Sequence, residues 1–350
     1  MLKKKSQPRL YAGIDHLSLD TRIFNPTPTD IEHICQFFGL GRLKKFENEK
    51  GVVISHSNFF VYAETTQGQY ALKFYPADAT KMIVMEYAIN RLLIGQAFAT
   101  PAMYTGQNSK PFFTCQNRLA TCFSYIEGLQ AWQLIKKRNT VLQLNTVMLN
   151  LKKILSKSKD RIVLNQQESL TKQIHAAAQS SRAAIDYDQK ELIETYLRDM
   201  YRAYQEYQPL FKRQWLHNNS TLTNFIIQEK TIYTLDLSHI REDYILSDLA
   251  ALVISCLFLE ISPNVIKPII ETYFKLHKIK PDCVFVLATL IQTGLIKEFL
   301  KNINREKNIH GFTHQADVKA TYLYHLKARN KLITKFLMKL KDPNSFWHIF

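Results

Sequence analysis

The stretch WLHNNSTLTNFIIQEKTIYTLDLS, residues 215–238, combines apolar runs with a polar loop in an order that decides the fold. A short apolar run leads into His217, and mostly small polar residues then continue to Asn224. A second apolar run turns at residues 228–230 and returns to Asp236. Apolar runs bounded by polar turns are typical of strands and hairpins. The stretch therefore predicts a strand, a polar loop and a hairpin that ends at one carboxylate.

Upstream of this loop, the sequence predicts a small antiparallel sheet that carries one helix. Apolar and polar side chains alternate through residues 59–76, and Thr66-Gln67-Gly68 supplies a hairpin turn. Downstream of residue 128 the pattern is helical as far as residue 340, except for the loop and a polar excursion at 155–183. The other predicted elements are a capped helix at 29–39, a first strand near 42–48, an amphipathic helix at 78–98, and strands near 111–115 and 118–125.

Composition indicates a folded intracellular type of protein. The chain has 350 residues and 46% hydrophobic content, enough for about two structural units. Only 10 glycines are present, which argues against glycine-rich nucleotide loops, and the five scattered cysteines predict reduced core thiols. The basic N-terminus has no apolar segment behind it, and we find no uninterrupted apolar run of membrane-spanning length. We therefore expect a soluble, cytoplasmic protein.

The charge balance favours an anionic partner. The 46 basic and 30 acidic residues give a formal net charge of +16. Nucleotide phosphates, nucleic acid or an acidic membrane surface would all suit this charge. The basic residues are mostly dispersed, however, and no nucleic-acid motif accompanies them. A solvated basic face is the expected arrangement, with no specific nucleic-acid or membrane partner.

A lysine and a glutamate upstream of the loop could form a phosphate-binding pair. Lys73 ends the second hairpin strand in ALKFY, and Glu86 follows midway along the next helix in IVMEYAI. In phosphoryl transfer, a strand lysine grips the nucleotide phosphates and a helix glutamate holds that lysine. An unpaired carboxylate among apolar residues would be costly, so we expect the two side chains to form an ion pair.

Together these motifs resemble the aminoglycoside phosphotransferase and choline kinase superfamily, and within it most closely the type II homoserine kinases. The stretch ISHSNFFVYAETTQGQYALKFYP, residues 54–76, is similar to the first hairpin of those enzymes. The stretch CFSYIEG, residues 122–128, is similar to the hinge between their lobes. The resemblance extends thinly over most of the chain, but residues 140–205 resemble nothing specific.

The resemblance implies a bilobal, protein-kinase-like α+β fold. A small antiparallel-sheet lobe is expected at residues 1–124, a hinge at 125–128 and a mostly helical lobe at 129–350 that carries the 215–238 loop. ATP and Mg²⁺ are the implied cofactors. The residues implied to contact the nucleotide are Ser57, Asn58, Lys73 and Glu86, together with the hinge residues Tyr125 and Ile126.

The loop residues match the catalytic segment of this superfamily with one change in chemistry. Asn219 stands where those enzymes have the catalytic aspartate. His217 is expected to be a buried brace of the loop. Asn224 and Asp236, 12 residues apart, are expected to hold one Mg²⁺, which needs few protein oxygens; alternatively, Asn224 caps a turn and Asp236 starts the next one. Asp248, in SDLAALVIS, is expected to support the structure as a helix cap or loop anchor.

Further departures surround this change. Asn218 replaces a glycine of the family pattern, Val53 replaces the glycine that opens the nucleotide loop, and the helix expected after the hinge is not recognisable. An asparagine can orient a hydroxyl but has no useful basicity. General-base assistance is worth roughly 10²–10⁴ in rate. From the sequence alone, these joint departures favour a site in which restoring aspartate at position 219 gains nothing.

Two classes of function remain open at this stage. One is a kinase with weak or altered catalysis, slow or with a relocated base, that acts on a small hydroxyl substrate. By resemblance, that acceptor is an amino acid or an amino alcohol. The other is a catalytically inactive pseudokinase that binds nucleotide and regulates or binds a protein partner. Fold analogy cannot choose between the two.

Overall fold

The structure, a computed structural model, describes residues 26–48, 59–158 and 187–308, together with residues 331 and 346. It divides into two compact units. The described residues of the first unit are essentially 26–48, 59–92 and 101–126, and those of the second are 93–100, 127–158 and 187–307 with residues 331 and 346. The predicted C-terminal helical stretch beyond residue 308 and most of the 155–183 excursion lie outside the described residues.

Among the described residues, the assignment to units differs from the predicted boundary at residues 93–100 and at Asn308. The first unit ends at Ile126, within the predicted hinge. Residues 93–100, which the sequence places in the N-terminal lobe, belong to the second unit. Hydrogen bonds explain this assignment, since the Thr234 N–H donates to the Ala99 carbonyl at 3.0 Å. The Thr100 hydroxyl also donates to the Thr234 carbonyl at 2.9 Å.

The first unit holds a five-stranded antiparallel sheet, helix α1 and all but the last turn of helix α2. Its strands lie in the order β1-β2-β3-β5-β4. Helix α1 begins at a capping box in which Thr27 and Asp30 satisfy each other's backbone N–H groups. The elements are α1 (Pro28–Phe37), β1 (Leu43–Asn48), β2 (Phe59–Thr65), β3 (Gln69–Pro76), α2 (Thr80–Gly95), β4 (Phe113–Cys115) and β5 (Arg118–Ser124).

The alternation along β3 gives its two faces different roles. Leu72 and Phe74 are buried in a core cluster that also contains residues of α1. Since side chains alternate along a strand, Lys73 and Tyr75 share the other face. The register places Lys73 between Phe60 on β2 and Thr121 on β5. The lysine therefore lies in the middle of a sheet, not at an edge.

The second unit is mostly helical and holds two small antiparallel sheets, β6-β8-β9 and β7-β10. Its helices pack around one large apolar core. The elements are β6 (Leu129–Gln130), α3 (Ala131–Leu134), α4 (Arg138–Lys157), α5 (Tyr187–Tyr207), β7 (Arg213–Leu216), β8 (Phe225–Gln228), β9 (Thr231–Thr234), β10 (Arg241–Tyr244), α6 (Ser247–Phe258), α7 (Pro263–His277) and α8 (Val284–Asn308). The predicted α+β organisation, with an antiparallel N-terminal part and a helical C-terminal part, is confirmed.

One described helix could span a membrane by length and composition. It covers Pro281–Leu300 and its apolar window has a mean hydropathy of 1.7. Because 72% of that window is buried inside the protein, the helix behaves as a core helix of the second unit. The cysteines likewise behave as core residues, and Cys35, Cys115, Cys122 and Cys256 are buried free thiols.

A buried histidine gives the second unit a predicted sensitivity to acid. The His277 ring stacks on Tyr273 with ring centroids 3.7 Å apart. Burial, with nearby Lys152 and Lys153, lowers the pKa of His277 from 6.5 to about 4. Between these pH values the unfolded chain binds a proton that the folded chain does not, so stability falls as the pH falls. The loss at pH 5 is expected to reach about 2 kcal/mol.

Urea unfolding at pH 7 and at pH 5 measures this effect. The fluorescence of Trp132 and Trp215, which lie in the same unit, reports the unfolding. The variant His277→Gln should lose less stability between these pH values than the unaltered protein. His33, which is exposed on α1, provides the matched control His33→Gln. Equal pH dependence in all three proteins would contradict the assignment.

Candidate active site

Lys73 and Glu86 form a buried ion pair in the first unit, as the sequence predicts. The Lys73 Nζ atom lies 3.3 and 3.4 Å from the two carboxylate oxygens of Glu86. The side chains are only 2% and 1% exposed. Removing two charges from water costs free energy, so a buried ion pair often adds little net stability to a fold. Its burial therefore favours a functional role for the lysine.

Aromatic side chains surround this pair. The Tyr75 hydroxyl donates a hydrogen bond to Oε2 of Glu86. The Lys73 Nζ atom lies 4.6 Å from the centroid of the Tyr75 ring and 5.9 Å from that of Phe60. Cations near aromatic faces are stabilised by the ring quadrupole, and more strongly where water is excluded. The ammonium group is thus held by one carboxylate and two rings.

The predicted hinge residues are only partly available to a ligand. The Tyr125 N–H donates to the Gln69 carbonyl at 3.3 Å, and the half-exposed Tyr125 ring packs edge-on against Tyr62 at 5.4 Å. Ile126 is therefore the hinge residue whose N–H we expect to reach a purine. The other predicted nucleotide-contact residues, Ser57 and Asn58, lie outside the described residues, as does Val53.

In the second unit, Asp248 anchors the start of the loop. Its carboxylate accepts the His217 N–H at 3.1 Å and the Asn218 N–H at 2.7 Å. Burial raises the pKa of Asp248, while His217 and the backbone donors oppose that rise. Asp248 lies in the first turn of α6 and the residue before that helix makes no side-chain cap. It is thus an anchor of the loop and not a helix cap.

His217 braces the same loop from inside. Its side chain is fully buried and its Nε2 lies 2.8 Å from the Leu235 carbonyl oxygen. This contact fixes the tautomer in which Nε2 carries the proton and donates. The ring therefore links the strand before the loop to the residue before Asp236, and a buried ring held this way suits a brace better than an acid or base.

Asn218 occupies a left-handed backbone conformation that glycine adopts most readily. Its φ is 63°, in the left-handed region where asparagine is among the best-tolerated non-glycine residues. With the amide oriented to suit its neighbours, its nitrogen donates to Asp243 at 2.6 Å and its oxygen accepts from the Arg241 Nε at 3.0 Å. The asparagine keeps the turn and adds contacts to β10.

Asn219 contacts both predicted metal ligands. Its amide nitrogen donates to Oδ2 of Asp236 at 2.7 Å. Its backbone carbonyl oxygen accepts from the side-chain amide nitrogen of Asn224 at 2.8 Å. The Leu235 N–H also donates to the Asn224 carbonyl at 2.9 Å, which fixes the two segments side by side. Only a side chain with a donor can make the contact to Asp236, so aspartate at position 219 could not reproduce it while ionised.

Asp236 is held in place by further donors. The Ser238 hydroxyl donates to its Oδ1 at 2.8 Å, and the half-exposed His239 ring lies 3.4 Å from its Oδ2. The backbone at Asp236 is left-handed, with φ of 56° and ψ of 60°. A non-glycine residue in that region is uncommon and is found where the surroundings impose it. The carboxylate is thus positioned, not simply exposed.

The chemistry of the donors fits one Mg²⁺ ion. Each carboxylate oxygen offers two lone pairs, so Asp236 can accept hydrogen bonds and still bind a cation. The Asn224 nitrogen is used within the loop, which leaves its oxygen as the ligand atom. No cluster of three or more His, Cys, Asp or Glu side chains that could hold a metal occurs among the described residues. The pair therefore suits Mg²⁺ that takes its other ligands from phosphates and water. That both oxygens reach one ion stays a prediction.

Asp243 is unsuited to be a relocated base. Its side chain is buried, and burial raises the pKa of its carboxyl group. It accepts the Tyr244 N–H at 2.7 Å and lies 3.9 Å from the Arg241 Nη2. With Asn218 as a further donor, this carboxylate is committed to holding β10 against the loop.

Sequence reasoning missed several residues that the structure brings to these sites. Tyr75 could have been found, since it lies two residues beyond Lys73 and period-two spacing places both on one strand face. Ser238 and His239 carry no comparable signal, because their contacts to Asp236 depend on the turn that follows it. The role of Asn218 depends on its φ angle, which residue identity alone does not reveal.

Comparisons with known proteins show the fold. Neither models of protein families nor curated proteins match the sequence. Solved structures do match, among them the amicoumacin kinase hAmiN in complex with AMP-PNP, Ca²⁺ and Ami, with a TM-score of 0.65 and 11% identity over 89% of this chain and 94% of that one. A spectinomycin phosphotransferase in complex with ADP and spectinomycin has a TM-score of 0.65 and 13% identity over 91% and 99% of the two chains. Choline kinase from Cryptosporidium parvum Iowa II has a TM-score of 0.60 and 15% identity over 92% and 100%. At these identities the likeness establishes a kinase-like fold alone.

Proposed function

We propose that this protein binds ATP with Mg²⁺ and transfers phosphate, weakly, to a small hydroxyl compound. The observation that carries the proposal is the buried Lys73–Glu86 pair, at 3.3 Å and almost without solvent exposure. A lysine held by a carboxylate on a neighbouring helix is the arrangement that grips nucleotide phosphates in phosphoryl transfer. The neighbours in fold are named as kinases or phosphotransferases of antibiotics and choline, which supports the same class of substrate.

Each of these residues has its own role in the proposed reaction. Lys73 of the first unit would contact the phosphates of ATP, and the Ile126 backbone would contact the purine. Asn224 and Asp236 of the second unit would hold Mg²⁺, which neutralises charge on the transferred phosphoryl group. The acceptor oxygen bonds to the γ-phosphorus as the bond to the β–γ bridging oxygen breaks, and ADP leaves. Because the amide of Asn219 is not a base, the hydroxyl proton would leave to a phosphoryl oxygen.

The weak turnover follows from this missing base. The transition state of phosphoryl transfer is loose, and positioning and metal ions do most of the work. Loss of general-base assistance alone is expected to lower the rate by roughly 10²–10⁴. A residual rate should therefore remain where nucleotide, metal and acceptor are held. An amino alcohol or a hydroxy amino acid is the proposed acceptor, on the resemblance described above.

One observation favours a second candidate, a nucleotide-binding regulatory protein. The Asn219 amide is committed to Asp236 as a donor, and its nitrogen cannot accept a proton from an acceptor hydroxyl. In that case the same sites would bind ATP without transfer, and a protein partner would sense the bound nucleotide.

The test begins with calorimetric titration of ATP in the presence and absence of Mg²⁺. We expect ATP to bind and Mg²⁺ to tighten the binding. Phosphate transfer is then measured across a panel of amino alcohols and hydroxy amino acids, with the corresponding compounds that lack the hydroxyl as controls. Failure to bind ATP at about 1 mM, a typical upper limit for enzyme substrates, would overturn the proposal. Binding without any transfer would leave the regulatory candidate.

A further inference from the structure

We infer that Tyr75 is a positioning residue of the phosphate-binding lysine, acting through Glu86. The inference rests on the proposed function, since it concerns how Lys73 is held for ATP. Tyr75 lies two residues beyond Lys73 on the same face of β3 and is fully buried. Its hydroxyl donates to Oε2 of Glu86, and its ring lies 4.6 Å from the Lys73 ammonium nitrogen.

The two contacts act on both members of the ion pair. Glu86 is only 1% exposed, so each of its oxygens needs protein donors in place of water. Lys73 approaches both oxygens at 3.3 and 3.4 Å, longer than a well-formed charge-assisted bond. The Tyr75 hydroxyl supplies a further donor from the strand that carries Lys73. It thereby ties the α2 carboxylate to β3 whether or not the lysine donates to it.

This link has a consequence for the lysine. If Lys73 alone held Glu86, any bond from the ammonium group to phosphate would compete with its bond to the carboxylate. With Tyr75 also holding Glu86, the carboxylate stays in place while N–H groups of the Lys73 ammonium donate to the nucleotide phosphates. The Tyr75 ring beside the ammonium adds a stabilising contact that needs no donor. Lys73 is therefore presented in a fixed position before nucleotide arrives.

The experiment compares ATP with adenosine as ligands of Tyr75→Phe. Phenylalanine keeps the ring and removes only the hydroxyl. The ATP dissociation constant is expected to rise about tenfold, since a hydrogen bond to a charged group is lost. Adenosine carries no phosphate for Lys73 to grip, so its affinity should not change. Calorimetric titration of both ligands measures this difference.

Two further variants separate positioning from general packing. Tyr70→Phe makes the same change on the same strand, at a buried tyrosine whose side chain is on the opposite face, and should leave both affinities unchanged. On a Glu86→Gln background the phenol no longer holds a carboxylate. There Tyr75→Phe should change ATP affinity less than twofold, a coupling that a double-mutant cycle detects.

The possible results have distinct meanings. No ATP binding by the unaltered protein would overturn the proposed function. ATP binding that Tyr75→Phe leaves unchanged would overturn the inference alone. Equal loss of ATP and adenosine affinity would also overturn it, because Tyr75 would then support only the fold of the first unit.

Discussion

Replacing Asp236 by alanine is expected to remove the Mg²⁺-dependent part of ATP binding. In saturating Mg²⁺ the ATP affinity should fall by at least about 100-fold. Loss of a residue that only hydrogen-bonds a metal ligand typically lowers metal affinity about 10–100-fold, and loss of a direct ligand should lower it more. The Asp236 carboxylate accepts the Asn219 amide and the Ser238 hydroxyl and lies 3.4 Å from the His239 ring, so its position is fixed. Without Mg²⁺ the variant should bind ATP as the unaltered protein does, or slightly better, because a negative charge is gone. Titration with and without Mg²⁺ measures both affinities.

Asp248→Ala provides the control for this prediction. Its carboxylate accepts two backbone N–H groups of the loop. In the variant each of these N–H groups is left without its acceptor, which should cost about 1–3 kcal/mol of stability each. The Mg²⁺ dependence of ATP binding should nevertheless persist in the fraction that remains folded. Asp282→Ala, at an exposed acidic residue of the same unit, should alter neither property. Equal ATP affinity of Asp236→Ala and the unaltered protein in Mg²⁺ would contradict the metal assignment.

The sequence predicts the first unit well because its signals are local. Thr27 and Asp30 cap a helix, Gly68 ends a hairpin turn, and alternation separates Leu72 from Lys73. Each of these features depends on residues a few positions apart. The ion pair of Lys73 and Glu86 is also predictable, because an isolated acid in an apolar helix face requires a partner.

The details of the loop depend on distant residues and on backbone conformation. Asp248 is 30 residues from Asn218, and Asp243 and Arg241 reach the same asparagine from a strand that follows the loop. From the sequence alone, Asn218 reads as the loss of a needed glycine. With φ at 63° it retains the turn. An asparagine at this position is therefore compatible with the observed backbone.

This geometry changes the expectation for Asn219. The sequence suggests that several parts of the site have diverged together, so that restoring the base would gain nothing. In the structure the loop is braced by Asp248, His217 and Asn224, and the Asn219 side chain contacts Asp236. Under the proposed function, the amide at position 219 in place of a carboxylate is then the feature of the described loop that limits the rate. Of the other two departures, residue 53 lies outside the described residues, and the chain after the predicted hinge forms α3 (Ala131–Leu134) and α4 (Arg138–Lys157).

Asn219→Asp is accordingly expected to raise phosphate transfer by roughly 10²–10⁴, the usual worth of general-base assistance. The comparison uses the unaltered protein and the variant with ATP, Mg²⁺ and the acceptor that gives the highest residual rate. ATP affinity in Mg²⁺ should change little, so the gain should appear in kcat. Asn218→Asp is the matched control, because it adds the same charge one residue away, beside Asp243 and Arg241. It should not raise the rate.

The same substitution should make the protein more dependent on Mg²⁺. The Asn219 amide nitrogen lies 2.7 Å from Oδ2 of Asp236, and two ionised carboxylates cannot share that distance without a cation or a proton. In the absence of Mg²⁺, Asn219→Asp should therefore be less stable than the unaltered protein, and Mg²⁺ should restore most of the loss. A gain in rate with this new metal dependence would identify the protein as a kinase slowed at one position. The metal dependence without any gain in rate would show that Asp236 and residue 219 share a cation while no acceptor hydroxyl reaches the loop, which would favour the regulatory candidate.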